Sequence, residues 1–343
     1  MIDIEKLIRK NIASLTPYST ARDEYQGKLG IFLDANESPF DNGYNRYPDP
    51  HQKELKTKLS EIKGLPIENI FLGNGSDEAI DLMFRIFCEP GVENAVSLTP
   101  SYGMYKVAAA INDIEMREVN LGENFTFPKK ELMSAVDEST KLMFICSPNN
   151  PSGNIFPKND ILYVADNFNG ILVIDEAYVD FAPDSSLIKE IYTRPNIVIL
   201  QTLSKAWGMA GLRLGMAFAT SRIIELMSMV KYPYNVNEST IRLALRFLEN
   251  PIDEKIREII NQRDILTERL SEFDFVQNVY PSNSNFLLVK FDDPNEIYAH
   301  LLKDGIIVRN RNNVTGCKGC LRITVGLEKE NKKLIDSLCR YEK

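Results

Sequence analysis

Histidine and tryptophan are almost missing from this 343-residue chain, which has two of the first and one of the second. His51 and His300 stand far apart in sequence, so a histidine-based metal centre and Ser-His-Asp catalysis are both poorly supported. Cysteine is sparse and odd in number, at five residues. That suits a reducing compartment, hence a cytoplasmic location, better than a disulfide framework. Cys317-Lys318-Gly319-Cys320 is a C-x-x-C, but no second pair or nearby histidine completes a zinc site, and no metal is expected. No apolar run reaches membrane-spanning length, and Met1-Ile2-Asp3-Ile4-Glu5-Lys6 is not a signal peptide, so no membrane partner is expected. Excess positive charge is lacking too. Forty Lys+Arg against 48 Asp+Glu give −8, which argues against nucleic acid but leaves small anions open to a few local arginines.

What is present is a proper core: hydrophobic residues make up 44% and charged residues 26%, as in soluble globular proteins. The length allows one large domain or two ordinary ones. From about residue 70, strand-like apolar runs alternate with helical patterns. The runs are Ile70–Leu72, Ala95–Leu98, Leu142–Ile145, Ile171–Ile174 and Ile197–Leu200, with helices after the first two carrying Ile80, Met83, Phe84 and Phe87, then spanning Tyr102–Asn112. Near-continuous apolar strands between helices indicate an α/β fold with a largely parallel sheet covered on both faces. Ligands of such sheets sit at the carboxyl ends of the strands. The pattern changes near Pro233–Asn237. A helix with Ile241, Leu245 and Leu248 stops at Asn250-Pro251, a long helix follows, and Phe286–Phe291, Ile306–Arg309 and Leu321–Val325 read as strands. The expected division is an arm over 1–40, a large domain over 41–236 and a smaller α+β domain over 237–343.

The polar residues with chemical promise fall where the apolar runs end. Lys205 follows Ile197–Leu200 in Gln201-Thr202-Leu203-Ser204-Lys205, with Arg213 eight residues later, a setting for a lysine that forms a Schiff base with a carbonyl cofactor. Asp175 directly follows Ile171–Ile174 and precedes Tyr178; a carboxylate there can hold a proton on a pyridine nitrogen. Gly73-Asn74-Gly75-Ser76-Asp77-Glu78 joins a strand to an amphipathic helix and can offer helix N–H groups to an anion. It lacks both the dinucleotide and the P-loop spacing. Ser147-Pro148-Asn149-Asn150-Pro151-Ser152-Gly153 is a turn at another strand end, and Tyr102 opens a helix. Read singly, each has an ordinary alternative: a surface Lys and Arg, a carboxylate capping a helix, a capped turn, a partly buried tyrosine.

In this order, however, the elements resemble the fold-type I pyridoxal-phosphate aminotransferases. More narrowly the chain resembles the histidinol-phosphate aminotransferase family, through Leu15-Thr16-Pro17-Tyr18-Ser19-Thr20-Ala21-Arg22, Leu33-Asp34-Ala35-Asn36-Glu37-Ser38-Pro39, Asn45-Arg46-Tyr47-Pro48-Asp49-Pro50 and Cys320-Leu321-Arg322-Ile323-Thr324-Val325-Gly326. The resemblance implies a mostly parallel seven-stranded sheet flanked by helices, a smaller α+β domain, and an arm packing with the small domain and substrate site. It implies pyridoxal 5'-phosphate on Lys205, with Asp175 at the ring nitrogen, Tyr178 and Asn150 at the ring oxygen, and Tyr102 stacked on the ring. Ser76, Asp77, Thr202, Ser204 and Arg213 surround the phosphate, Ser76 and Asp77 through backbone N–H groups, and Tyr47 reaches the cofactor phosphate of the other subunit in a homodimer. Tyr18, Asn36, Arg309 and Arg322 line the substrate pocket, two guanidiniums suiting both a phosphate monoester and glutamate carboxylates. The implied reaction transfers the amino group of L-histidinol phosphate to 2-oxoglutarate in histidine biosynthesis, giving imidazole acetol phosphate and glutamate. Aromatic amino acid aminotransferases and threonine-phosphate decarboxylases are the nearest alternatives on that fold. A cofactor-binding protein without chemistry fits less well, because every catalytic group is present.

Overall fold

A computed structural model describes residues 2–19 and 30–341; Thr20, Ala21 and Arg22 of the first arm motif lie outside the described residues. The larger sheet has seven strands: β1 Ile70–Asn74, β2 Asn94–Thr99, β3 Glu115–Asn120, β4 Thr140–Cys146, β5 Ile171–Asp175, β6 Ile197–Thr202 and β7 Leu214–Phe218. Their order is β1-β7-β6-β5-β4-β2-β3. All neighbours are parallel except β7, which runs antiparallel to both β1 and β6. The smaller sheet, order β10-β11-β9-β8, is antiparallel and formed by β8 Val276–Val279, β9 Phe286–Phe291, β10 Arg309–Asn310 and β11 Cys320–Thr324.

Around the larger sheet lie α1 Lys10–Ala13, α2 Lys53–Lys63, α3 Ser76–Phe87, α4 Met104–Ile111, α5 Lys129–Ser134, α6 Lys158–Asn167, α7 Ser221–Val230 and α8 Glu238–Phe247. The smaller sheet is accompanied by α9 Asp253–Ser271, α10 Pro294–Lys303 and α11 Glu328–Tyr341. Alternate side chains of a strand point to opposite faces, and both faces here are buried. On β5, Ile171 and Val173 join the core under α3, α4 and α7, while Leu172 and Ile174 join the core under α2, α5, α6 and α8. Each such side chain contributes about 1.5–3 kcal/mol by leaving water, which is why the apolar runs in the sequence are continuous rather than alternating.

Three sequence expectations change. Ile4, Ile8 and Ile12 pack into the core containing α3 and α7, so the start of the arm docks on the larger unit and not on the smaller one. The apolar face of α8 (Ile241, Ala244, Leu248) belongs to the larger core as well. The change of core therefore falls after Leu248 rather than at residue 237. In place of a strand over Ile306–Arg309, only Arg309–Asn310 pairs with β11. Ile307 is exposed, and the chain before Arg309 leaves the ladder although β11 continues to Thr324.

Candidate active site

Five segments at the strand ends converge on one cleft lined by Gly75, Ser76, Asp77, Tyr102, Cys146, Asn150, Asp175, Ala177, Tyr178, Thr202, Ser204, Lys205 and Arg213. This is the position an open α/β sheet favours. The fold brings together every cofactor-site residue named from the sequence apart from Tyr47.

The anion end is built on close backbone approach. β7 lies so near the start of α3 that a Cβ on Gly215 would sit 2.1 Å from the Ser76 nitrogen. The Gly75 N–H donates to the Arg213 carbonyl at 2.8 Å. Gly75 has φ +75°, and a Cβ there would stand 2.9 Å from Arg213 Nη2, so only glycine leaves this hollow open. No side chain caps α3: Glu78 reaches back to the Asn74 N–H at 2.5 Å instead. The N–H groups of Ser76 and Asp77 thus lack intrahelical partners at the positive end of a helix dipole. The Asp77 carboxylate is occupied elsewhere, accepting from Tyr102 Oη at 3.0 Å and lying 3.7 Å from Arg213 Nη2. Thr202 Oγ1 and Ser204 Oγ lie 3.0 Å apart on the opposite wall.

At the buried end, Asp175 closes β5. Its Oδ2 accepts from Tyr105 Oη at 2.6 Å and its Oδ1 from the Ala177 N–H at 3.0 Å. Burial raises its pKa, while these two hydrogen bonds oppose that rise. Lys205 Nζ lies 5.5 Å from the centroid of the Tyr178 ring. Burial first, then the charge of Arg322, lowers the lysine pKa. Tyr178, itself buried, packs edge-on against Phe286 at 5.1 Å.

A second hollow opens beside the first and shares Tyr102, Asn150, Tyr178 and Lys205 with it; Arg309, Arg311 and Arg322 stand there. Arg309 faces Arg322 across the β10–β11 ladder, and Arg322 Nη1 donates to Asn150 Oδ1 at 2.5 Å. Burial lowers the pKa of Arg322. The two arginines expected at a substrate mouth are there, beside Lys205.

Three expected residues are elsewhere. Tyr18 is 75% exposed and lies in neither hollow. Asn36 and Tyr47 line a separate groove with Tyr234, on which Tyr47 stacks at 4.5 Å between ring centroids. Within one chain, then, Tyr18, Asn36 and Tyr47 do not reach the Lys205 cleft. The physical reason is that residues 30–48 find little to pack against: Ile31, Leu33 and Phe40 are 90%, 89% and 82% exposed.

Tyr105, Cys146 and Arg311 were not anticipated from the sequence. Tyr105 had a signal, standing three residues after Tyr102 in the first turn of the helix that Tyr102 precedes. Arg311 had one in its spacing of two from Arg309 on a strand. Cys146 had none, a thiol ending an apolar strand. All five cysteines are free. Cys317 and Cys320 are buried side by side, the Cys320 N–H donating to the Cys317 carbonyl at 2.9 Å, and burial pushes their thiols up to about 12 and about 11. Among the described residues no group of His, Cys, Asp and Glu could hold a metal ion, and no helix is long and apolar enough to cross a membrane.

Comparison with known proteins places the whole chain among aminotransferases. A histidinol-phosphate aminotransferase of Parabacteroides distasonis is 51% identical over 340 residues, 98% of this chain and 99% of that one. The crystal structure of the histidinol-phosphate aminotransferase from Clostridium acetobutylicum superposes with a TM-score of 0.80 at 26% identity, over 87% of this chain and 90% of that one. The enzyme from Sinorhizobium meliloti, solved in complex with pyridoxal-5'-phosphate, shares the fold with a TM-score of 0.80 at 24% identity, over 87% and 83% of the two chains. The family model described as aminotransferase class I and II matches residues 34–338, and the chain belongs to that family.

Proposed function

We propose that the protein is a pyridoxal-phosphate-dependent transaminase that moves the amino group of L-histidinol phosphate to 2-oxoglutarate, giving imidazole acetol phosphate and glutamate. One observation carries this reading. Lys205 stands in a cleft with a buried carboxylate, Asp175, and an uncapped helix amino end on one side, and with Arg309 and Arg322 on the other. The full-length likeness to the Parabacteroides enzyme supports the choice of substrate.

The residues fit the cofactor. The hollow that Gly75 leaves open, the free N–H groups of Ser76 and Asp77, the hydroxyls of Thr202 and Ser204 and the guanidinium of Arg213 suit its phosphate. Asp175 suits the ring nitrogen, Tyr178 and the Asn150 amide nitrogen the ring oxygen, and Tyr102 the ring face. When bound, pyridoxal phosphate supplies a carbonyl that exchanges with amines and an electron sink for their Cα. Asp175 holds a proton at the ring nitrogen, and that cationic N–H offsets the cost of ionising a buried carboxyl. The depressed pKa of Lys205 enlarges its neutral fraction, the form that attacks carbonyls and accepts protons. Its Nζ takes the proton from the substrate Cα. Arg309 and Arg322 pair in turn with the donor phosphate and with a carboxylate of the acceptor, since a guanidinium fork fits both.

The proposal includes a homodimer in the cytoplasm. A second copy of the chain covers Ile31, Leu33 and Phe40, brings Tyr47 to the cofactor phosphate across the interface, and carries Tyr18 and Asn36 to the substrate. Five free thiols suit a reducing compartment.

The test is a visible spectrum of protein reconstituted with pyridoxal phosphate, taken before and after adding amino donors one at a time. Histidinol phosphate should abolish the band at concentrations where phenylalanine leaves it, and 2-oxoglutarate should restore it. Absence of any visible band after reconstitution overturns the whole reading. Carbon dioxide release from a phosphorylated amino acid, without a keto product, replaces the transaminase with a decarboxylase.

A further inference from the structure

Arg311 follows the last residue of β10. Its backbone N–H donates to the Cys320 carbonyl at 3.0 Å, which extends the ladder with β11 by one residue. Side chains two apart on a strand share a face, so Arg311 points the same way as Arg309, and Arg322 lies opposite Arg309 in the register. All three line the hollow beside Lys205 and Tyr178.

Arg311 Nε is buried and has no hydrogen-bond partner. Among the described residues, none of the three arginines is in an ion pair. Of the three, Arg322 alone spends a guanidinium N–H on a protein group among the described residues. Burial, with the like charges of Arg322 and Arg309, lowers the Arg311 pKa. Crowding three cations beside one another without an anion is unfavourable. The local structure does not explain the side chain either: the loop hangs on backbone bonds, Val314 N–H to the Arg311 carbonyl at 2.8 Å and Cys317 N–H to the Val314 carbonyl at 2.9 Å, which any residue at 311 could supply. The missing negative charge therefore belongs to a ligand.

We propose that Arg311 determines donor specificity, contributing a third guanidinium that binds a phosphate monoester in this hollow and favours it over an unphosphorylated amine. The inference rests on the transamination reading. A phosphate dianion has three free oxygens and up to twice the charge of a carboxylate, enough for three forks, whereas a carboxylate is satisfied by Arg309 and Arg322 alone.

The experiment uses holoenzyme carrying Arg311→Gln or Arg311→Lys, with histidinol phosphate and histidinol as donors and inorganic phosphate as competitor. In Arg311→Gln the KM for histidinol phosphate should rise about ten- to a hundredfold, with kcat within about twofold. Conversion of histidinol should stay near the wild-type rate, and inhibition by inorganic phosphate should weaken in parallel. Arg311→Lys, which keeps the charge but not the fork, should recover part of the loss. If either folded variant keeps the wild-type preference for histidinol phosphate over histidinol, the proposal is overturned. Equal losses of kcat with both donors also overturn it, since that pattern marks a structural role. If wild-type protein itself shows no conversion by histidinol phosphate, the transamination reading fails first and this inference with it.

Discussion

The Lys205 cleft and the segment from residue 30 to 48 are opposites in how they are made. The cleft groups stand at the ends of strands buried on both faces, with their polar atoms held by neighbours from distant parts of the chain, as Asp175 is by Tyr105. Bonds within the arm segment join Arg46 to Glu37 at 2.7 Å, the Tyr47 N–H to Glu37 at 2.7 Å and Asn45 to the Ser38 carbonyl at 2.9 Å. Its large apolar side chains face outward. On the proposed reading, one chain supplies the Lys205 cleft and the arm contributes to the site of a second copy. An exposed apolar segment next to a site marks an interaction face, and in a homodimer the same face serves both copies.

The sharpest break on the cleft side is Lys205→Ala. Removing the one lysine that lines the cleft among the described residues should lower kcat by at least about 10⁴-fold, combining loss of the covalent partner with loss of the proton acceptor. Fold and melting temperature of the cofactor-free protein should hardly change, because a half-buried cation is given up. Steady-state turnover within tenfold of wild type would remove Lys205 from the mechanism.

That so much of this cleft was legible follows from its construction. Six strands of the larger sheet are buried on both faces, five of them reading as apolar runs whose ends are legible, and Asp175, Thr202 and Asn74 stand at those ends. The remaining two strands were hidden for different reasons. β3 is an edge strand, Glu-Met-Arg-Glu-Val-Asn, mostly open to solvent on its flank. β7, Leu-Gly-Met-Ala-Phe, follows the lysine loop at once and pairs antiparallel where parallel neighbours were expected. The arm residues resisted for a third reason: Tyr18, Asn36 and Tyr47 were named by resemblance, and no periodicity in one chain encodes a position that one chain does not build. Tyr105 and Arg311 each carried a spacing signal, but what gives them weight comes from the fold: the bond to Asp175 for the first, and the hollow shared with Arg309 and Arg322 for the second.

The comparison predicts a complementation. Tyr47→Ala should lower turnover about a hundredfold while leaving the Lys205 cleft of its own chain intact. If Tyr47 serves the other subunit, unfolding and refolding an equal mixture of Lys205→Ala and Tyr47→Ala chains yields mixed dimers with one doubly damaged site and one unaltered site. Random pairing makes half the dimers mixed, so activity should return to about a quarter of wild type. A mixture no more active than the sum of its parents would place Tyr47 in its own chain's site or outside any site.

The smallest expected effect lies deepest in the cleft. Tyr105→Phe removes one hydroxyl, the donor to Asp175 Oδ2 at 2.6 Å, and leaves the ring stacked on Phe144 at 4.9 Å. A hydrogen bond to a charged group is worth about 1.5–3 kcal/mol and a neutral one about 0.5–1.5. In the holoenzyme, where Asp175 works ionised, kcat should fall about tenfold with the KM for the donor nearly unchanged. In the cofactor-free protein the effect should depend on pH. Burial raises the folded-state pKa of Asp175 above its ordinary value, so this group favours the fold below that value and loses its contribution as pH rises through the folded pKa. Losing the Tyr105 donor raises the folded pKa further. The gap in melting temperature between wild type and Tyr105→Phe should therefore be smallest near pH 4 and widen toward neutral pH. A gap that stays constant, or narrows as pH rises, would mean that the hydroxyl packs beside Asp175 without holding its charge.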